Sequence, residues 1–114
     1  MGYETFYEDL GYPMEGVRLK KLKDFLHKEQ LDYDEGIEFT VNLCDSNGNM
    51  AATGSLEGNV LKCIAVSDSY QGEGLSAKIV TALVSQGIKN GHSHLFLFTK
   101  PENIHIFQDL GFYI

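Results

Sequence analysis

Basic charge, cysteine and long apolar runs are all scarce in this 114-residue chain, and each scarcity excludes something. Nine Lys and Arg stand against sixteen Asp and Glu, for a net charge of −7. A phosphate backbone needs a basic face, so nucleic acid is excluded as a partner. An anionic small ligand is not excluded, because main-chain N–H groups do not enter the charge count. No apolar stretch approaches the ~20 residues of a membrane-spanning helix. The charged, aromatic start MGYETFYEDL lacks the pattern of a signal peptide. The only two cysteines, Cys44 and Cys63, both sit in apolar, strand-like runs, which reads as buried reduced thiols in a cytoplasmic protein. Repeats and low-complexity segments are also missing. At this length the chain makes one domain, 1–114.

What the sequence does contain is a clear periodicity. Residues 17–30 place Leu19, Leu22 and Leu26 at helical spacing, and the basic run RLKKLK at 18–23 reads as the solvated face of that helix. Residues 37–44 alternate like a half-buried strand, with Ile37, Phe39, Val41 and Leu43 on one face. Asn47-Gly48 is a hairpin signal, 50–56 a return strand, and EGN at 57–59 a second turn into an apolar strand at 60–66. These three strands form an antiparallel meander. A helix follows from about Glu73 to Asn90, with Leu75, Ile79 and Leu83, flanked by Val80 and Val84, as its buried stripe and Gly91 as its cap. Residues 94–99 form a phenylalanine-rich strand, 101–109 a short helix, and FYI begins a further strand at the end. The fold class is α/β (α+β), a mixed sheet with an antiparallel meander and flanking helices.

The most informative stretch is VLKCIAVSDSYQGEGLS, 60–76, where a strand runs into a glycine-containing loop that opens a helix. Such a loop offers unpaired backbone N–H groups and the positive end of the helix dipole to an anion. Gly72 and Gly74 are free to take positive φ, so successive N–H groups are able to converge on phosphate oxygens.

The element order, together with Q-x-x-G-x-S at Gln71, Gly74 and Ser76, resembles the GCN5-related N-acetyltransferase (GNAT) superfamily, whose pattern is Arg/Gln-x-x-Gly-x-Gly/Ala. Ser76 departs from the final small residue of that pattern. The ending FQDLGF at 107–112 resembles the superfamily's closing helix-to-strand segment. Within the superfamily, GNVLKCIAVS, QGEGL and HLFLFTKPE followed by LGF resemble the N-terminal domain of the citrate lyase ligase family. That resemblance implies a GNAT-type domain followed, in the whole ligase, by a nucleotidyltransferase domain with an HxGH motif. The chain has no HxGH and stops at Ile114 as a strand begins. It is therefore expected to be a domain excised from a longer ligase, with its C-terminal strands truncated and ATP used only by the missing domain.

The resemblance also implies a ligand, a CoA-type molecule: acetyl-CoA, CoA, or the dephospho-CoA-derived prosthetic group of the citrate lyase acyl carrier subunit, which would be the partner. Its pantetheine arm would pair with the backbone of Ile64, Ala65 and Val66. Its diphosphate would rest on the N–H groups of Gln71, Gly72, Glu73, Gly74, Leu75 and Ser76. Alignment at LGF puts Phe107 where many GNAT enzymes carry a proton-donating tyrosine, with Gln108 beside it. This departure favours a domain whose CoA-like thiol receives acetyl, and a receiving thiol needs a base rather than an acid. Glu73 and His105 are the weak candidates for that base, and Lys100 is a candidate phosphate or carboxylate contact. His92 and His94 share a strand face but lack a third ligand, so no metal is expected. A stand-alone acetyl-CoA-dependent N-acetyltransferase and a non-catalytic carrier-docking module remain as alternative functions. The final edge strand invites a homodimer.

Overall fold

The computed structural model describes residues 5–71 and 74–98. Five strands and two longer helices follow one another as β1 (Tyr7–Gly11), α1 (Gly16–Lys28), β2 (Phe39–Cys44), β3 (Met50–Glu57), β4 (Val60–Val66), α2 (Leu75–Lys89) and β5 (Phe96–Leu97). A single 3-10 turn, Asp68–Tyr70, joins β4 to the loop before α2. The sheet order is β1-β2-β3-β4-β5. The first four strands are antiparallel neighbours, and β5 joins parallel to β4 after the α2 crossover. Mixed sheet, meander and flanking helices are as the sequence implies.

Each face of the sheet takes one helix. On one side Leu75, Ile79, Val80 and Leu83 of α2 pack on Phe39, Val41, Leu43, Leu56 and Leu61. On the other side Leu22 and Leu26 of α1 form a smaller cluster with Met14, edged by Leu19, Met50 and Cys63. The stripes read from periodicity are the ones buried, with Leu19 and Val84 only partly covered.

Several expectations need correction. The N-terminal segment contains β1, paired along its length with β2 from Tyr7↔Cys44 to Gly11↔Thr40, where the sequence gave no strand signal. The strand expected at 37–44 to be half-buried is buried on both faces in its regular part, Phe39–Cys44. Its polar face is closed by cross-strand partners: Thr40 Oγ1 lies 2.8 Å from Ser55 Oγ, and Thr53 Oγ1 donates to Asn42 Oδ1 at 2.6 Å. Satisfied in this way, four polar side chains are buried without the penalty of unmet hydrogen bonds. Among the described residues of the strand expected at 94–99, the regular part is Phe96–Leu97, and His92 and His94 precede it rather than sharing its face. Cys44 is buried and Cys63 only half-buried; both are free thiols.

Candidate functional site

β4 is irregular at its centre. Ala65 pairs with Thr53 and Lys62 with Ser55, so Cys63 and Ile64 together stand opposite Gly54. Such a bulge bends the strand and raises its twist. Cys63 takes φ of +54° there, a backbone conformation a side chain rarely adopts. α2 presses on the same point: a Cβ on Gly54 would lie 2.4 Å from Ile79 Cγ2 and 2.9 Å from Leu83 Cδ1.

Beyond the bulge, β4 keeps one edge turned away from β3. The Ser67 N–H donates to the Ala51 carbonyl at 2.8 Å, so residues 67 and 65 face β3 and the Val66 peptide faces outward. β5 pairs with β4 at Val60 and Leu61, through Phe96 N–H to the Asn59 carbonyl (2.9 Å) and Phe98 N–H to the Leu61 carbonyl (2.8 Å). Among the described residues that ladder ends at Leu61, five residues short of Val66.

The outward edge leads directly into the start of α2. Gln71 folds back so that its Nε2 donates to the Val66 carbonyl at 2.8 Å. Gly74, the N-cap of α2, lies in the left-handed region at φ +76°, and no side chain caps the helix. The first turn carries no acidic residue among those described. The amide donors of that turn are thus left to water or to a ligand. Tyr70, just before this loop, is fixed from two sides: its hydroxyl donates to Asp45 Oδ2 at 2.7 Å, and its ring meets Phe6 edge-on at 5.2 Å.

The sequence-predicted residues divide accordingly. Val66 lies on the outward strand edge and accepts from Gln71, while Gly74 and Ser76 stand at the start of α2. Leu75 is buried in the core and offers only its backbone there, while the Ile64 side chain packs toward Gly54 under α2. Ala65 faces β3 with its peptide and is buried. Gly72, Glu73, Lys100, the helix expected at 101–109, His105, Phe107, Gln108 and the terminal strand with its proposed dimer edge lie outside the described residues.

Three features of this region were missed in the sequence. They are the bulge opposite Gly54, the Tyr70–Asp45 bond, and the pinning of Lys62 by Asp34 Oδ2 (2.6 Å) and Glu57 Oε1 (2.8 Å). An isolated glycine inside a strand pattern was the available signal for the first. Burial raises the thiol pKa of both Cys44 and Cys63, so neither is a ready thiolate at neutral pH.

Residues 4–112 match the acetyltransferase (GNAT) family. The chain is 37% identical over 100 residues to the [citrate [pro-3S]-lyase] ligase of Haemophilus influenzae, covering 88% of this chain and 30% of that protein. It is 40% identical over 96 residues to the ligase of the same name from Klebsiella pneumoniae, covering 84% and 28%. The chain thus spans about 30% of the length of these relatives. Among solved structures, an aminoglycoside N-acetyltransferase in complex with CoA superposes with a TM-score of 0.72 at 16% identity, over 99% of this chain and 91% of the other. No described helix is long and apolar enough to cross a membrane.

Proposed function

Because the chain belongs to the acetyltransferase (GNAT) family and is homologous to part of the citrate lyase ligases, we propose that it binds a CoA-type arm, the dephospho-CoA-derived prosthetic group of the citrate lyase acyl carrier protein, during ATP-dependent acetylation of that arm's thiol. What supports this reading is the outward edge of β4 at Val66, together with the uncapped start of α2 at Gly74 that follows it in the chain. An extended arm with amide groups adds to a strand edge as a further strand would, and a diphosphate suits the amide donors and dipole of a helix start.

In this arrangement the diphosphate rests on the loop from Gln71 to Ser76 and the amides follow β4 toward the bulge. The thiol then lies at the deep end of the path, near Cys63 and Ile64. In this reading the protein's own cysteines are not the acetyl acceptors; burial raises both thiol pKa values, which disfavours the thiolate. Acetyl then goes to the sulfur of the ligand: the sulfur attacks the carbonyl of acetyl-adenylate as its proton leaves to a base, the acetyl C–O bond to the phosphate breaks, and AMP departs. Glu73 and His105 remain the proposed bases. In this reading the adenylating chemistry would be supplied from outside this chain, which covers 30% of the Haemophilus influenzae relative.

Calorimetric titration with dephospho-CoA, CoA and acetyl-CoA tests the reading. Binding of dephospho-CoA at least as tight as that of CoA is expected. A clear preference for acetyl-CoA would instead indicate a conventional N-acetyltransferase, and no binding by any of the three would leave the loop as a plain strand-to-helix turn.

A further inference from the structure

The connection from α1 to β2, residues 29–38, is tied at its middle onto β4. Asp34 is the anchor. Its Oδ2 accepts from Lys62 Nζ at 2.6 Å, and its Oδ1 accepts from the Gly36 N–H at 2.9 Å. Lys62 is held a second time by Glu57 Oε1 at 2.8 Å, and its side chain is only 18% exposed. Beside this tether, Cys63 Sγ donates to the Asp32 carbonyl at 3.4 Å, and Leu31, Tyr33 and Cys63 pack against the Leu22–Leu26 cluster. Lys23 also reaches Glu35 at 3.5 Å, but both side chains are exposed and such a pair holds weakly. The far end of the connection is fixed separately, by the Gly58 N–H donating to Glu38 Oε1 at 2.7 Å.

The bulge in β4 decides which face of the sheet this tether meets. Leu61 lies in the core under α2, so Lys62 turns to the α1 side. The extra residue of the bulge puts Cys63 on the α1 side as well, and Ile64 returns to the α2 side. Lys62 and Cys63 are therefore neighbours on one face, against residues 32–34 of the connection.

That place is also where an arm laid along β4 ends. From phosphate ester to sulfur a pantetheine arm is about twelve bonds long, the length of roughly four extended residues. Gln71 stands beside Val66 through its side-chain bond, and four residues back along β4 from Val66 is Lys62. Further along the strand, the Phe98 N–H already holds the Leu61 carbonyl. Toward α2, Ile64 and Leu97 pack against the core. The α1 side is left for any group carried on the sulfur, and the tethered residues 32–34 bound it there.

We propose that the Lys62–Asp34 tether sets the size of the acyl group this chain accepts on its ligand's sulfur. Held down over Cys63, the connection leaves room for a two-carbon acyl group and excludes longer ones. Lys62 and Asp34 are positioning residues, acting through the connection and not on the reacting atoms. The inference rests on the arm-binding reading for what lies along β4, and on the tether for what limits it.

The test is calorimetric titration with dephospho-CoA, S-acetyl-dephospho-CoA and S-hexanoyl-dephospho-CoA. Wild type is expected to bind the acetyl thioester at least about tenfold more tightly than the hexanoyl one. In Asp34→Ala and in Lys62→Met that ratio should fall to about threefold or less, because a freed connection yields to the longer chain. A general loss of stability lowers both affinities together and leaves their ratio alone. Asp24→Ala, which breaks the exposed Lys20–Asp24 pair on α1, is the control and should keep the wild-type ratio. Equal binding of the two thioesters by wild type, with dephospho-CoA still bound, would overturn the proposal and leave the arm-binding reading standing. An unchanged ratio in either tether variant would overturn it too. No binding of any of the three ligands by wild type would remove the arm-binding reading and the proposal with it.

Discussion

Ile79 of α2 rests directly on the backbone of Gly54, at the point where β4 bulges through Cys63 and Ile64. The missing side chain at residue 54 sets how closely the helix approaches the sheet. The same contact fixes the direction of α2 relative to the outward edge of β4, and so the geometry between helix start and strand edge.

Gly54→Ala should therefore destabilise the fold by about 1–3 kcal/mol, the usual cost of overpacking a filled core. Gly54→Val should cost more. Thermal or urea unfolding measures this, and an unchanged transition in Gly54→Ala would mean that α2 does not sit as closely as described.

At Gly74 the constraint is conformational rather than steric. Nothing lies within 4 Å of a Cβ built there, but φ is +76°. Gly74→Ala is expected to cost about 1–2 kcal/mol from the left-handed backbone and to weaken binding of dephospho-CoA. Gly74→Asn should recover much of the loss, because asparagine tolerates that region. Equal damage by Ala and Asn, measured by unfolding and calorimetry together, would point to lost space rather than lost conformation.

Gln71 tethers the loop to the strand through the Val66 carbonyl. The bond is exposed, so Gln71→Ala should lower stability by no more than about 1 kcal/mol. Dephospho-CoA affinity should fall several-fold as the loop loses its anchor. Gln71→Glu should bind more weakly than Gln71→Ala, since it sets a negative charge against both the carbonyl and the diphosphate. The reverse order in calorimetry would show that the side chain takes no part in placing the anion.

Two carboxyls set the acid limit of stability. The Tyr70 hydroxyl and the Asn49 and Asn47 N–H groups hold the Asp45 carboxyl below the usual range, and Lys62 followed by the Gly36 N–H does the same for Asp34. A carboxyl whose folded pKa is depressed stabilises the fold above its unfolded pKa, and loses that contribution as pH falls through the folded one. Stability should therefore drop as pH is lowered below about 4. The drop should be shallower in Tyr70→Phe and in Lys62→Met, which lack the leading partners. Unfolding curves at pH 7, 4 and 3 compare them, and identical acid slopes in all three proteins would exclude these two carboxyls as the cause.

The local elements were legible in the sequence because their signals are local. Leu22 and Leu26, or Leu75, Ile79 and Leu83, recur at helical spacing whatever they pack against, and Asn47-Gly48 marks its turn by backbone preference alone. The strand before the Gln71–Ser76 loop and the helix after it were readable for the same reason, since an apolar run and an amphipathic stripe are both local signals. What only the tertiary structure decided depended on partners distant in sequence. Tyr7–Gly11 is a strand because β2, distant in sequence, offers it an edge, not because its residues alternate. Thr40 and Asn42 look solvent-facing until Ser55 and Thr53 arrive across the sheet to satisfy them. Gly54 reads as an ordinary small residue until Ile79 closes on it. Backbone preference and periodicity are properties of a short segment, whereas burial, register and charge balance belong to the assembled fold and appear only when distant segments meet.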